Sequence, residues 1–154
     1  MLFRSVVNSV RLSYFYDGNS WTQLSNQSFN GSVKELIPFN NGLVAFGEFN
    51  TPSTDIAFWD GATWSAIGDE IYPDSTAHNV YDIEVYNNEL YAVGDFGPDE
   101  PDPINTKYIA KWNGESWEQV GIGLNGAANC MFSWNNELYI GGRSEEHTSE
   151  LSHQ

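Results

Sequence analysis

The feature that most constrains this chain is a short phrase that occurs three times. Ile56-Ala57-Phe58-Trp59-Asp60-Gly61-Ala62-Thr63-Trp64 returns as Ile109-Ala110-Lys111-Trp112-Asn113-Gly114-Glu115-Ser116-Trp117. It stands earlier as Tyr14-Phe15-Tyr16-Asp17-Gly18-Asn19-Ser20-Trp21. Each copy is an apolar-aromatic run, then Asp-Gly or Asn-Gly, then a Trp three residues past the glycine. Asp-Gly and Asn-Gly between apolar runs signal a β-hairpin, because both central residues of a type I′ turn need positive φ. A type I′ turn is therefore expected at Gly18, Gly61 and Gly114.

A second hairpin signature alternates with the first. The runs before Asn40-Asn41-Gly42, Asn87-Asn88-Glu89 and Asn135-Asn136-Glu137 are followed by Leu43-Val44-Ala45-Phe46-Gly47, Leu90-Tyr91-Ala92-Val93-Gly94 and Leu138-Tyr139-Ile140-Gly141-Gly142. The middle Asn recurs at Asn41, Asn88 and Asn136, a period of about 47 residues, which falls in the range of propellers and arrays. One period holds two hairpins, with strands expected over 33–39, 43–49, 56–59 and 63–67. Leu43-Val44-Ala45-Phe46 is nearly continuous in its apolar character, as in strands covered on both faces. Helical periodicity is absent. The fold expected is all-β: a fragment of a β-propeller with four-stranded antiparallel blades. An immunoglobulin-like sandwich is the alternative, but sandwiches do not repeat their hairpins in sequence.

The repeat divides the chain. Residues 1–32 end one blade, 33–79 and 80–127 are full blades, and 128–142 start another. Phe3 falls roughly where Phe49 and Phe96 stand, so the chain is expected to begin partway through a blade, and the lack of a signal peptide is uninformative. Residues 143–154 break the pattern and resemble the translation of a common short-read sequencing adapter. They are expected to be a non-native tail, and His147 and His153 with them carry no function.

Composition narrows function. The chain carries 21 acidic residues against 6 basic ones, a net charge of −15, which disfavours nucleic acid as a partner. No apolar run approaches the roughly 18 residues of a membrane span. The lone Cys130 rules out an internal disulfide and any zinc site built on several thiolates. His78 stands alone in a loop. Gly121-Ile122-Gly123-Leu124-Asn125-Gly126 spells a dinucleotide fingerprint, but it opens no helix, so no nucleotide site is expected. No nucleophile elbow or triad pattern is present.

The Leu-Tyr-apolar-apolar-Gly strands, each followed at a distance by a Trp-closed hairpin, resemble kelch-type β-propeller repeats. The Trp-Asp-Gly-x-x-Trp form is similar to propeller repeats of large secreted or surface-attached bacterial proteins. The resemblance covers about residues 3–142. It departs at the Gly-Gly doublet, which is intact only at Gly141-Gly142 and is Gly47-Glu48 and Gly94-Asp95 elsewhere. The resemblance implies a non-enzymatic module that binds or scaffolds, at the cell surface or outside it, with a carbohydrate or protein as partner and no cofactor. The alternative it implies is the scaffold part of a larger secreted enzyme whose catalytic residues lie elsewhere. The copper site of galactose-oxidase-like members would need a Tyr–Cys crosslink and histidines, which this chain does not offer.

Residue by residue, the recurring rings read as packing. Trp21, Trp64 and Trp117 share one slot, and Tyr16, Trp59 and Trp112 share another, as contact between successive blades requires. Gly47, Gly94 and Gly141 form a third recurring set. Trp134, in the slot of Phe39 and Tyr86, is expected in the core. Asp95, Asp99, Glu100 and Asp102 offer oxygen ligands for Ca²⁺, but without the spacing of a preformed calcium loop they read first as a solvated acidic loop. Glu48 and Asp95, equivalent at strand ends, face a central channel or merely replace the doublet's second glycine.

Overall fold

The computed structural model describes residues 14–68, 71, 79–97 and 106–143. His78, Asp99, Glu100, Asp102 and the tail from Ser144 lie outside the described residues. Among those described the chain is all-β, with twelve strands and no helix. They are β1 (Tyr14–Tyr16), β2 (Trp21–Gln23), β3 (Ser32–Phe39), β4 (Gly42–Glu48), β5 (Ile56–Trp59), β6 (Trp64–Ala66), β7 (Asn79–Tyr86), β8 (Glu89–Asp95), β9 (Ile109–Trp112), β10 (Trp117–Gln119), β11 (Ala128–Trp134) and β12 (Glu137–Gly142). Every pairing is antiparallel between chain neighbours. β3–β6 and β7–β10 are four-stranded meanders; β1–β2 and β11–β12 are two-stranded.

The two turn signatures have exchanged chemistry relative to expectation. The tight type I′ turns are the Asn-Asn pairs. Asn40 and Asn41 have φ of 46° and 60°, Asn87 and Asn88 51° and 64°, and Asn135 and Asn136 49° and 64°. Each pair joins strands whose flanking residues are directly opposed, Phe39 with Gly42 in the first copy. At Asp60-Gly61 only the glycine has positive φ, at 102°, and Trp59 pairs with Trp64 across a longer loop. There the Asp60 side chain replaces the missing turn bonds. Its Oδ1 accepts from Ala62 N and Thr63 N, both at 2.8 Å. Asp17 does the same for Asn19 N and Ser20 N, and Asn113 for Glu115 N and Ser116 N. An Asx cap of this kind needs the side-chain oxygen, which Asp and Asn share.

A β-bulge recurs in the first strand of each Asn-Asn hairpin. The register slips between Val33 and Glu35, between Val80 and Asp82, and between Ala128 and Cys130. The bulge presses the partner strand so closely that only glycine fits. A Cβ on Gly47 would lie 2.0 Å from the Ser32 carbonyl oxygen, and one on Gly94 2.0 Å from that of Asn79. In the last hairpin the glycine in this position is Gly142, whose Cβ would lie 2.4 Å from the Ala127 oxygen. Gly141 instead pairs with Cys130, as Phe46 pairs with Glu35 and Val93 with Asp82. The recurring set is thus Gly47, Gly94 and Gly142, with Gly141 one position out of phase.

Successive sheets pack face to face. β4 alternates Val44 and Phe46 toward the β7–β10 sheet with Leu43 and Ala45 toward the N-terminal side. β8 turns Leu90 and Ala92 back toward β3–β6, and Tyr91 and Val93 toward β11–β12. Burial on both faces explains the unbroken apolar runs. The rings of Trp112 and Trp117, cross-strand partners with centroids 5.7 Å apart, seat on the preceding sheet. Trp117 Nε1 donates to the Ile67 carbonyl at 3.1 Å. Trp112 lies over Gly68, where a Cβ would fall 2.1 Å from the ring. Trp59 and Trp64 form the same pair at 5.5 Å and meet Phe29 and Phe49.

At the two ends the same slots are uncovered. Tyr16 and Trp21 pair at 5.1 Å, but Trp21 is 71% exposed. Trp134, expected in the core, is 58% exposed beside Phe132 and Tyr139. Among the described residues, no sheet packs over these rings as β3–β6 packs over Trp112 and Trp117.

Two outcomes follow. Trp117→Ala removes a fully packed ring and its indole bond, and should destabilise by about 3–5 kcal/mol in urea denaturation. Trp21→Ala, at an uncovered copy of the slot, should leave the dilute monomer nearly unchanged. Asp60 has its pKa held below the usual 3.8, chiefly by the Thr63 and then the Ala62 backbone bonds. Its contribution is present above that pH and is lost as pH falls through the lowered value. Asp60→Asn, which copies Asn113, should keep the melting temperature at neutral pH and reduce its fall below about pH 4; Asp60→Ala should lower it at both.

Candidate functional site

The first strands of three successive groups, β3, β7 and β11, lie side by side. Counting back six residues from Asn41, Asn88 and Asn136 gives Glu35, Asp82 and Cys130, the three residues that follow the bulge. Because the bulge re-aims this position, equivalent side chains of neighbouring sheets converge along one edge.

Asp82 is the hub. Its Oδ1 accepts from Ile83 N at 3.0 Å, and its Oδ2 accepts from Met131 N at 2.5 Å, which ties β7 to β11. Glu84, two residues on, accepts from Ser133 Oγ at 2.7 Å. On the other side, the Glu35 carboxyl of β3 comes near enough to Asp82 to feel its charge. Although Glu35 is exposed as a residue, its carboxyl end is crowded against these groups. Its pKa is raised above 4.5, first by desolvation, then by the neighbouring Asp82, and last by the charge of Glu84. The result is a row of three carboxylates from two sheets, braced by a backbone N–H and a hydroxyl of the next.

This row can accept hydrogen bonds from hydroxyl or cationic groups. It is not a grouping that would hold a metal ion among the described residues. Cys130, in the third equivalent position, is a free, exposed thiol whose Sγ lies 3.8 Å from the Gly141 oxygen.

The residues singled out in the sequence are distributed differently. Asp95 ends β8 opposite Asn79, and its loop partners Asp99, Glu100 and Asp102 lie outside the described residues. Glu48 pairs with Ser32 and forms an ion pair with Lys34 at 2.9 Å. Residues 121–126 form turns and lead into β11, not a helix. Trp59, Trp64, Trp112 and Trp117 are used in packing. A shallow open cleft of about 430 Å³ lies where residues 23–27 pass Ala62 and Thr63. Its amides are engaged: Gln27 Nε2 donates to Trp64 O at 2.9 Å while its Oε1 accepts from Trp64 N, and Gln23 Nε2 donates to Ser25 O. Gln27 there substitutes for a strand along the outer edge of β6.

Glu35, Asp82 and Glu84 sit in no recognisable sequence motif. The signal that finds them is the constant distance from the Asn-Asn turn, combined with the bulge.

The sequence matches no protein-family model, and no curated protein matches it either. Among the described residues, no helix is long and apolar enough to cross a membrane.

The raised pKa of Glu35 gives a prediction opposite in sign to that for Asp60. A carboxyl whose folded pKa lies above its unfolded value contributes stability that is complete below about pH 4.5 and is lost as pH rises through the raised value. Glu35→Gln should therefore raise the melting temperature at pH 7 and leave it nearly unchanged at pH 4. Thermal melts of both proteins at the two values check this; an equal shift at both pH values would count against it.

Proposed function

We propose that this chain is part of a β-propeller of kelch-like type and serves as a non-enzymatic binding or scaffolding module of a secreted or cell-surface protein. The observation that supports this reading most is the arrangement of β3, β7 and β11. Equivalent first strands of successive sheets stand side by side and gather Glu35, Asp82 and Glu84 into one row. In a propeller, first strands line a central channel, and groups from different blades combine there into a surface that no single blade carries. The face-to-face packing through Trp112 and Trp117 supports the same reading, since blades need large rings between them.

The row suits a ligand that donates hydrogen bonds or positive charge: the hydroxyls of a carbohydrate, or a basic segment of a protein. The row lacks an activated nucleophile and a metal-holding group, so binding without turnover is the chemistry it supports. Screening the protein against immobilised glycans and extracellular proteins, followed by calorimetry on the hits, tests this. The expected result is saturable binding, with the ligand recovered unchanged. Asp82→Asn should weaken it about tenfold, the loss of one charge-assisted hydrogen bond. Turnover that disappears in the same variant would overturn the reading and favour the scaffold of an enzyme.

A further inference from the structure

Asparagine followed by glycine occurs four times, at Asn30, Asn41, Asn113 and Asn125. Such a pair can react with itself, because glycine lacks the side chain that keeps its backbone nitrogen away from the preceding side-chain amide. The fold sets three of the pairs aside. Gly31 lies against the Glu48 carbonyl, where the backbone cannot turn freely. Gly42 is a ladder residue of β4, opposed to Phe39 and pressed on the Trp59 carbonyl. Gly126 is half-buried on the way into β11. Asn113-Gly114 alone has both residues exposed, and nothing stands within 4 Å of where a Gly114 Cβ would be.

We infer that Asn113-Gly114 is a self-modification site, at which the chain converts its own asparagine to aspartate or isoaspartate with water as the co-reactant. The Asx cap that closes this loop holds the amide as the reaction needs it. Asn113 Oδ1 accepts from Glu115 N and Ser116 N, both at 2.9 Å. Two backbone N–H groups on one carbonyl oxygen draw electrons from Cγ and meet the negative charge that grows on that oxygen during attack. The amide nitrogen is fixed on the other side, donating to Glu118 Oε2 at 3.1 Å and Ser116 Oγ at 3.4 Å. Among the described residues the Gly114 N–H has no acceptor, so its nitrogen is free to react.

Gly114 N gives its proton to water and attacks Cγ. The new Cγ–N bond closes a succinimide ring, and the Cγ–Nδ2 bond breaks, Nδ2 leaving as ammonia after taking up a proton from solvent. Water then opens the ring at either carbonyl. Attack at Cγ gives aspartate; attack at the backbone carbonyl gives isoaspartate, which routes the main chain through the side chain and breaks the cap.

The other copies of the loop show what the product would disturb. They already carry aspartate, Asp17 and Asp60. Glu118 opposes Lys111 as Thr22 opposes Phe15 and Ser65 opposes Phe58, so the residue in the place of Glu118 is a hydroxyl in both aspartate copies. Each copy thus keeps a single carboxylate across these two positions. Aspartate at 113 would make two, exchanging the Nδ2 donor for an oxygen that faces Glu118 and pulls against its ion pair with Lys111 at 3.2 Å.

The test uses the full chain, kept folded at neutral pH and physiological temperature, and in parallel unfolded in urea. Peptide mapping by mass spectrometry at intervals measures aspartate and isoaspartate at each pair. In the folded chain Asn113 should convert about tenfold faster than Asn30, Asn41 or Asn125, whereas in urea the four rates should converge. Hydroxylamine, which cleaves succinimides, should cut the folded chain between residues 113 and 114, and Asn113→Gln should abolish that cut. Equal conversion of the four pairs in the folded chain, or slower conversion of Asn113 there than in urea, would overturn the assignment. Asn113→Asp should lower the melting temperature by about 2 °C, and adding Glu118→Gln should restore it. An unchanged melt in Asn113→Asp would overturn the opposition to Glu118.

Discussion

The structure depends on large aromatic rings at one end of each sheet being covered by the sheet before it. Trp117 reaches 50 residues back to the Ile67 carbonyl, and Trp112 closes over Gly68. Both contacts are made by side chains of third and fourth strands against the exit of the previous sheet. The rest follows from this constraint. A glycine is needed where the ring lies flat, and a carbonyl must be left open where the indole N–H arrives. Small alanines are needed in the sheet centres, at Ala45, Ala57, Ala92 and Ala110, all fully buried, so that the sheets can approach.

Sheet approach in turn fixes the edges where first strands meet. The bulges at Val33–Glu35, Val80–Asp82 and Ala128–Cys130 turn one polar position out of each first strand toward its neighbours. Glu35 and Asp82 thereby come together despite their like charge in a chain already at net −15. The Met131 N–H on Asp82 offsets part of their repulsion, and the remainder contributes to the raised pKa of Glu35. Two of the described lysines are engaged by other carboxylates. Lys34 is engaged by Glu48, and Lys111 by Glu89 and Glu118.

Much of the all-β architecture was legible because the repeat is long enough to be counted twice over. Strand positions came within a residue or so, and the ring slots paired as the spacing implied. What the sequence hid was local geometry that similar letters can encode in two ways. Asp-Gly and Asn-Asn are both turn signals; which one makes the tight turn depends on how many residues separate the paired positions, and that is fixed by the opposing strand. Gly141 and Gly142 are indistinguishable by letter. Only the bulge, which drives the Ala127 carbonyl against Gly142, shows which one is required. The carboxylate row was invisible for the same reason, since it is assembled between sheets and not along a motif. Trp21 and Trp134 read as core because their slots are core elsewhere; what covers a slot is a property of the neighbouring sheet.

Each full period of the repeat holds one four-stranded sheet, β3–β6 and then β7–β10. The Asn-Asn hairpin and the Asx-capped hairpin alternate along the chain, but a covered sheet needs one of each, in that order, with its first and third strands on either side of the second. β4 and β8 satisfy this from both sides, and their residues are the most deeply buried in the molecule. β12 has the same Leu-Tyr pattern but only one strand beside it, and its residues are mostly exposed. The difference lies in the neighbour and not in the strand. An apolar strand of this kind depends on its neighbours for burial as much as on its own residues, and rings equivalent to those that β8 and β9 bury stand exposed beside β12.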